Sequence, residues 1–126
     1  MLGDATVYAT IAVRDLQQSR EFYEQILGLN QLDENPGGIL YESGTGKVFV
    51  YQSDTAGSGK ATCASWLVDD IEQMVSDLQS AGIEFNNYDI PGATVEGYIY
   101  TMGPQKAAWF KDPDGNILNV ATDIEE

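Results

Sequence analysis

The chain has 126 residues, 43% of them hydrophobic, which suits one packed domain or two small modules sharing a core and is too apolar for disorder. Its formal net charge of −14 argues against nucleic acid or an anionic membrane as a partner. A single cysteine excludes an internal disulfide, and neither a membrane-length apolar run nor a signal-peptide pattern is present, so we expect a cytoplasmic protein.

The first half of the chain predicts one strand, one helix and three further strands. Residues 7–13 are rich in β-branched side chains and alternate in polarity, which predicts a strand. Asp15 is placed to cap a helix, with Gln18 three positions later, and Gly28 is placed to end it. The strands that follow are predicted at 28–33, 38–43 and 47–53.

The second half repeats this order. A strand over 63–68 is followed by Asp70, which is placed as a helix cap, and by Gln73 and a terminal Gly82. Further strands are predicted at 84–88, 98–103, 107–111 and 117–122, with a turn at 112–115. Residues 54–60 are small and polar and predict a linker, and residues 91–97 predict a loop.

The two halves align with each other over most of their length. Residues 8–15 match residues 63–70, and residues 46–54 match residues 115–123. We therefore predict one domain with module one at about 5–53 and module two at about 61–123. Two half-cups of this kind form a ligand cavity.

Six segments carry a family resemblance: residues 13–16, 19–23, 26–29, 68–71, 81–85 and 110–116. Together they resemble the vicinal oxygen chelate superfamily, which includes glyoxalase I, extradiol dioxygenases, fosfomycin-resistance enzymes and bleomycin-resistance binding proteins. The resemblance implies an α+β fold in which two paired βαβββ modules form a curled eight-stranded mixed sheet around a cavity. It also implies a homodimer.

Enzymes of this superfamily hold a divalent metal in the cavity, and the resemblance places the corresponding positions at Tyr8, Cys63 and Asn119. The fourth position falls on Val50, or on Gln52 if the register slips by two. A phenol, an amide and one thiol are a poor donor set for a transition metal, and the chain has no histidine. We therefore expect no metal, no other cofactor and no catalytic residue of the usual kind.

Cys63 is the one residue of that set with nucleophilic chemistry. Its neighbours in sequence, Thr62, Ala64 and Ser65, supply neither a base nor a cation that would lower its pKa. We expect Cys63 to be a small buried strand residue and not a nucleophile.

The predicted strands are rich in aromatic residues, which in this fold build the cavity wall. Together with the acidic net charge, these aromatic residues favour a metal-free protein of the bleomycin-resistance type, which sequesters a flat or cationic organic ligand. Sequestration of this kind would confer resistance to the ligand. The ligand-binding residues we predict are Tyr8, Thr10, Val50, Gln52, Cys63, Ser65, Trp109 and Asn119. The partner is thus a small organic molecule.

Two other functions stay open on the sequence alone. One is a lyase or isomerase that works without a metal or uses the shifted ligands Glu42, Gln52, Glu96 and Asp123. The other is a structural or regulatory protein whose cavity is filled by its own side chains. The acidic charge serves either ligand attraction or only solubility.

Overall fold

The structure, a computed structural model, describes residues 1–123 and divides the chain into two compact units, Met1–Gly57 and a unit that starts at Ser58. The boundary between them lies inside the predicted linker 54–60. Each unit has its own sheet and its own main helix, which confirms the α+β class. Within residues 1–123, no helix is long and apolar enough to cross a membrane.

The first unit forms a four-stranded sheet. A 3₁₀ turn at Leu2–Asp4 precedes β1 (Ala9–Val13), α1 (Leu16–Arg20), β2 (Asn30–Asn35), β3 (Gly38–Ser43) and β4 (Gly46–Gln52). The strand order is β1-β4-β3-β2; β1 pairs with β4 in parallel, and the other pairs are antiparallel.

The helical segment of the first unit begins as predicted and then changes type. The Asp15 carboxylate accepts hydrogen bonds from the backbone N–H groups of Gln17 and Gln18 at 3.0 and 3.1 Å. After α1 the chain continues as a π-helix over Glu21–Ile26, a change of helix type that was not predicted. The wider turn lets two consecutive aromatic residues, Phe22 and Tyr23, both be buried.

One face of the first sheet forms the core of this unit. Ile11, Ile39 and Val50 are paired across three strands, and none is more than 1% exposed. The helical segment covers this face, because the Tyr23 ring stacks on Tyr41 at 6.5 Å and the Tyr41 hydroxyl donates to Glu24 at 2.7 Å. Since side chains alternate along a strand, the strand residues that flank Ile11, Ile39 and Val50 in sequence point to the opposite face of the sheet.

The second unit forms a six-stranded sheet. Its elements are β5 (Thr62–Leu67), α2 (Ile71–Ser80), β6 (Phe85–Asn86), β7 (Thr94–Glu96), β8 (Ile99–Met102), β9 (Gln105–Lys111) and β10 (Ile117–Ala121). The strand order is β5-β10-β9-β8-β7, and β6 also pairs with β9. Residues 1–123 thus contain ten strands, two of them very short.

The prediction of a loop over 91–97 is wrong for residues 94–96. Val95 pairs with Tyr100, and Glu96 pairs with Ile99 across a two-residue turn, so this segment is the first strand of a hairpin. Gly97 adopts a φ of +64° in that turn, a conformation that glycine adopts without steric cost. The predicted strand 84–88, in turn, is only two residues long.

Helix α2 covers one face of the second sheet. Asp70 caps it as predicted, since its carboxylate accepts from the backbone N–H of Gln73 at 3.0 Å. The face below α2 includes a row of paired apolar residues: Phe85, Phe110, Leu118 and Ala64. Trp66 pairs with Val120 on the same face, where the alternation of β5 predicts it.

Candidate functional site

The face of the first sheet opposite α1, called the open face below, carries aromatic and acidic side chains. Thr10, Phe49, Leu40 and Asp33 lie side by side across the four strands. Next to Phe49, Tyr51 presents a nearly parallel ring, with centroids 6.3 Å apart and an interplanar angle of 8°. These rings are only partly covered, so they are available to a ligand.

A cavity of about 150 Å³ opens on this face. It is lined by Tyr8, Asp33, Glu34, Asn35, Gly38, Leu40 and Phe49. Tyr8 is 47% exposed at its rim. The volume is below the 300 Å³ or so at which drug-sized pockets begin, so the cavity can hold one ring or one cationic group.

The two acidic residues of the cavity differ in their surroundings. Glu34 forms an ion pair with Arg20 at 2.6 Å, and Arg20 also contacts Glu24 at 3.0 Å. The hydrogen bond from Arg20 to Glu34 raises the pKa of Arg20, against an opposing effect of partial burial. Asp33 lies in the same row as Phe49 and Leu40, so its carboxylate is the acidic group on the open face itself.

Two of the predicted ligand-binding residues point away from this face. Val50 is fully buried between Ile11 and Ile39, and Gln52 pairs with Val13 on the same side. The prediction aligned the last strands of the two halves by matching Gly46 with Gly115. Gly46 is the first residue of β4, whereas Gly115 lies in the turn before β10. The resulting shift of one position exchanges the faces, and Phe49 and Tyr51 occupy the open face.

In the second unit, four residues form a continuous row across the face opposite α2, called the polar row below. Asn86 pairs with Trp109, Trp109 pairs with Asn119, and Asn119 pairs with Ser65. Three of the predicted ligand-binding residues are thus adjacent. Asn86 was not predicted, although its place next to the apolar Phe85 in a short strand indicates the face that it occupies.

Trp109 is held in place from three sides. Its indole N–H donates to the Thr62 hydroxyl at 3.0 Å. The rings of Tyr88 and Tyr100 meet it edge-on, at centroid distances of 6.0 and 5.4 Å. The Tyr100 hydroxyl in turn donates to the Tyr88 carbonyl at 2.6 Å. The indole is therefore a fixed planar surface in the middle of the polar row.

Cys63 does not have the predicted environment. Ile117 pairs with Thr62 and Leu118 with Ala64, so Cys63 is the extra residue of a β-bulge, and it is exposed instead of buried. Local desolvation, with a smaller contribution from the negative charge of Asp112, raises the pKa of its thiol. An exposed thiol in these surroundings is a weak nucleophile at neutral pH.

This gives a prediction for the reactivity of Cys63. With iodoacetamide at pH 7.5, we expect the folded protein to be alkylated more slowly than the same protein unfolded in urea, because less of its thiol is ionised. The midpoint of the rate against pH should lie above the ordinary value of 9.0. Mass spectrometry of quenched samples gives the rates, and a midpoint below 8 would contradict this account.

The family of the chain follows from its sequence and its fold together. The family model of the Glyoxalase/Bleomycin resistance protein/Dioxygenase superfamily matches residues 6–120. The chain belongs to this superfamily. No curated protein matches its sequence significantly.

Solved structures of the superfamily share the fold at low sequence identity. A glyoxalase family protein from Enterococcus faecalis is 21% identical with a TM-score of 0.71, over 96% of this chain and 99% of that one. The fosfomycin resistance protein FosX from Listeria monocytogenes is 10% identical with a TM-score of 0.71, over 97% and 95%. A glyoxalase/bleomycin resistance protein/dioxygenase from Alicyclobacillus acidocaldarius is 18% identical with a TM-score of 0.67, over 97% and 93%.

The residues of this superfamily member do not fit the divalent metal that the resemblance implies. Tyr8, Asn119 and Cys63 offer a phenol, an amide and a thiol whose pKa is raised, and Phe49 stands where the first module would supply its carboxylate. Across residues 1–123, no three His, Cys, Asp or Glu side chains are grouped so that they could hold a metal ion. The shifted ligands Glu42, Glu96 and Asp123 are therefore not gathered either.

Proposed function

We propose that this member of the glyoxalase/bleomycin resistance superfamily is a binding protein that sequesters an aromatic or cationic organic molecule without altering it. The observation that carries the proposal is the open face of the first sheet. There a cavity of about 150 Å³ brings Tyr8 and Phe49 together with the carboxylate of Asp33. Partly exposed rings beside an acidic group are the surroundings that an organic cation prefers.

The parallel rings of Phe49 and Tyr51 support stacking of a flat ligand. A planar molecule laid on these rings would remove apolar area from water, and its positive charge would be attracted to the ring faces. The cavity is small, so we expect it to take the cationic end or one ring of a larger ligand. Tyr8, which is 47% exposed, can contact the ligand from the rim.

The net charge of the protein supports a cationic ligand as well. A formal charge of −14 attracts cations over a distance set by the ionic strength. Arg20 balances Glu34, which leaves Asp33 as the carboxylate that acts on the ligand in the cavity. In the second unit we propose that Cys63, Ser65, Trp109 and Asn119 contact ligand through the face opposite α2.

Titration calorimetry with a planar cation tests this function. We expect (naphthalen-2-ylmethyl)trimethylammonium to bind saturably. We expect its neutral isostere, 2-neopentylnaphthalene, to bind with an affinity at least about tenfold weaker. Raising the salt concentration from 0.05 to 0.5 M should weaken only the binding of the cation, since screening acts on the charge. The variant Phe49→Ala should lose about tenfold in affinity for the cation.

One pattern of results would contradict the binding function. If neither naphthalene compound gives saturable heat while Zn²⁺, Mn²⁺ or Ni²⁺ binds with micromolar affinity, a metal-dependent enzyme becomes the better account. Mass spectrometry of the naphthalene cation after long incubation with the protein checks that the ligand is recovered unchanged.

A further inference from the structure

Two side-chain oxygens in the polar row have no hydrogen-bond partner. They are Oδ1 of Asn86 and Oδ1 of Asn119, and both atoms are buried. Asn119 as a residue is only 8% exposed. Buried polar atoms of folded proteins are almost always paired, because an unpaired one has lost its bonds to water without replacement.

The two oxygens belong to the same row of paired residues. Asn86 and Asn119 are the direct partners of Trp109 on its two sides, so all three side chains leave the sheet on one face. Neighbouring strands are about 4.8 Å apart, which puts the two asparagines roughly 10 Å apart with the strand of Trp109 between them. The row ends at Ser65, which is exposed, so a ligand can approach it from that side.

The central indole is already fixed before any ligand arrives. Thr62, Tyr88 and Tyr100 hold Trp109 through one hydrogen bond and two edge-on ring contacts. The hydrogen bond to Thr62 on β5 shows that the indole extends over β10, so a flat molecule on this ring would lie near Asn119, with Asn86 on the other side of β9. The side-chain oxygen of an asparagine accepts hydrogen bonds from N–H or O–H groups, and it forms none with a ligand group that has no hydrogen on its polar atoms.

We infer that the polar row selects ligands that carry hydrogen-bond donors on a planar body, with Asn86 and Asn119 as acceptors on either side of Trp109. This inference rests on the proposed binding function and narrows its ligand class to planar amidines, guanidines, amines or amides with free N–H groups. Asn86 is then a specificity-determining residue that the sequence did not single out.

The test uses the full-length protein and three ligands that share one ring system. 2-Naphthamidine is a cation with N–H donors, N,N,N-trimethyl-2-naphthylammonium is a cation without donors, and 2-acetylnaphthalene has only an acceptor. Binding is followed by quenching of tryptophan fluorescence in a Trp66→Phe background, where Trp109 is the only tryptophan left of the two. We expect 2-naphthamidine to bind at least about tenfold more tightly than the trimethylammonium compound.

Replacement of the acceptors should remove this preference. In Asn119→Leu we expect the affinity for 2-naphthamidine to fall at least about tenfold, to the level of the trimethylammonium compound, whose own affinity changes less than about twofold. Asn86→Leu should act in the same direction. Asn30→Leu, an exposed asparagine on β2 of the first unit, is the matched control and should leave both affinities unchanged.

A second readout needs no ligand. Because Asn119→Leu removes a buried atom without a partner, the melting temperature of the free protein should rise, by about 3 °C, whereas in Asn30→Leu it should not. A fall in melting temperature would show that Asn119 is satisfied in the free protein and would overturn the inference.

The outcomes separate this inference from the function on which it rests. If the amidine and the trimethylammonium compound bind equally, or if 2-acetylnaphthalene binds best, the selection of donors is wrong while the binding of aromatic ligands stands. If none of the three compounds binds, the binding function and this inference fail together. A preference for the amidine that survives in Asn119→Leu would place the recognition elsewhere.

Discussion

Replacing Gly38 by valine should destabilise the protein by about 3 kcal/mol and weaken ligand binding on the open face. A Cβ atom at Gly38 would overlap the carbonyl oxygen of Val50 and would lie 2.9 Å from the ring of Phe49. The carbonyl is part of the backbone of β4 and cannot move without breaking the sheet. The ring would have to turn, which would separate it from Tyr51.

The control for this change lies in the same hairpin. A Cβ atom at Gly46 would meet only the Ser43 carbonyl oxygen at 3.5 Å, an ordinary contact, so Gly46→Ala should stay within about 0.5 kcal/mol of the natural protein. Urea unfolding of both variants gives the free energies. Equal stability of Gly38→Val and Gly46→Ala would mean that β3 and β4 lie farther apart at Gly38 in solution than they do in the structure.

Replacing Leu118 by alanine should cost about 3 kcal/mol and lower the melting temperature by about 10 °C. Leu118 is fully buried and lies in the apolar row between Phe110 and Ala64. Neither neighbour can fill the space that its side chain would leave, since both are fixed in the strands beside β10. The cavity would lie directly behind Asn119, so ligand binding at the polar row should weaken as well.

Leu67→Ala is the matched control for this prediction. Leu67 is 71% exposed at the end of β5, in the same sheet, and its truncation should change the free energy of unfolding by less than about 0.5 kcal/mol. Thermal unfolding of the two variants side by side makes the comparison. A loss at Leu67 as large as that at Leu118 would show that the exposed end of β5 is covered in solution.

The parts of the fold that depend on local chemistry could be predicted from the sequence. Asp15 and Asp70 begin their helices as expected, because a side-chain oxygen that accepts from the first helical N–H groups is a local arrangement. The strand Gly38–Ser43 was predicted at its observed bounds. Its turn is two residues long and leaves little freedom in register.

The parts of the fold and of the site that depend on pairing between strands were harder to predict from the sequence. The positions of Val50 and Gln52 were misassigned because turn lengths differ between the halves, and a shift of one residue exchanges the two faces of a strand. The bulge at Cys63 cannot be read from β5 alone, because it arises from the mismatch with β10. Asn86 became visible as a site residue only through its pairing with Trp109.

The π-helix over Glu21–Ile26 explains how the two halves differ in length yet keep the same plan. Gly28 follows Asp15 by thirteen positions, whereas Gly82 follows Asp70 by twelve. The wider helical turn absorbs that one additional residue, so the strand after it still starts after a glycine with positive φ, as in the second half. An alignment of the two halves must therefore open a one-residue gap within this turn, and copies of an ancestral unit can gain a residue here without displacing the strands that carry the ligand face.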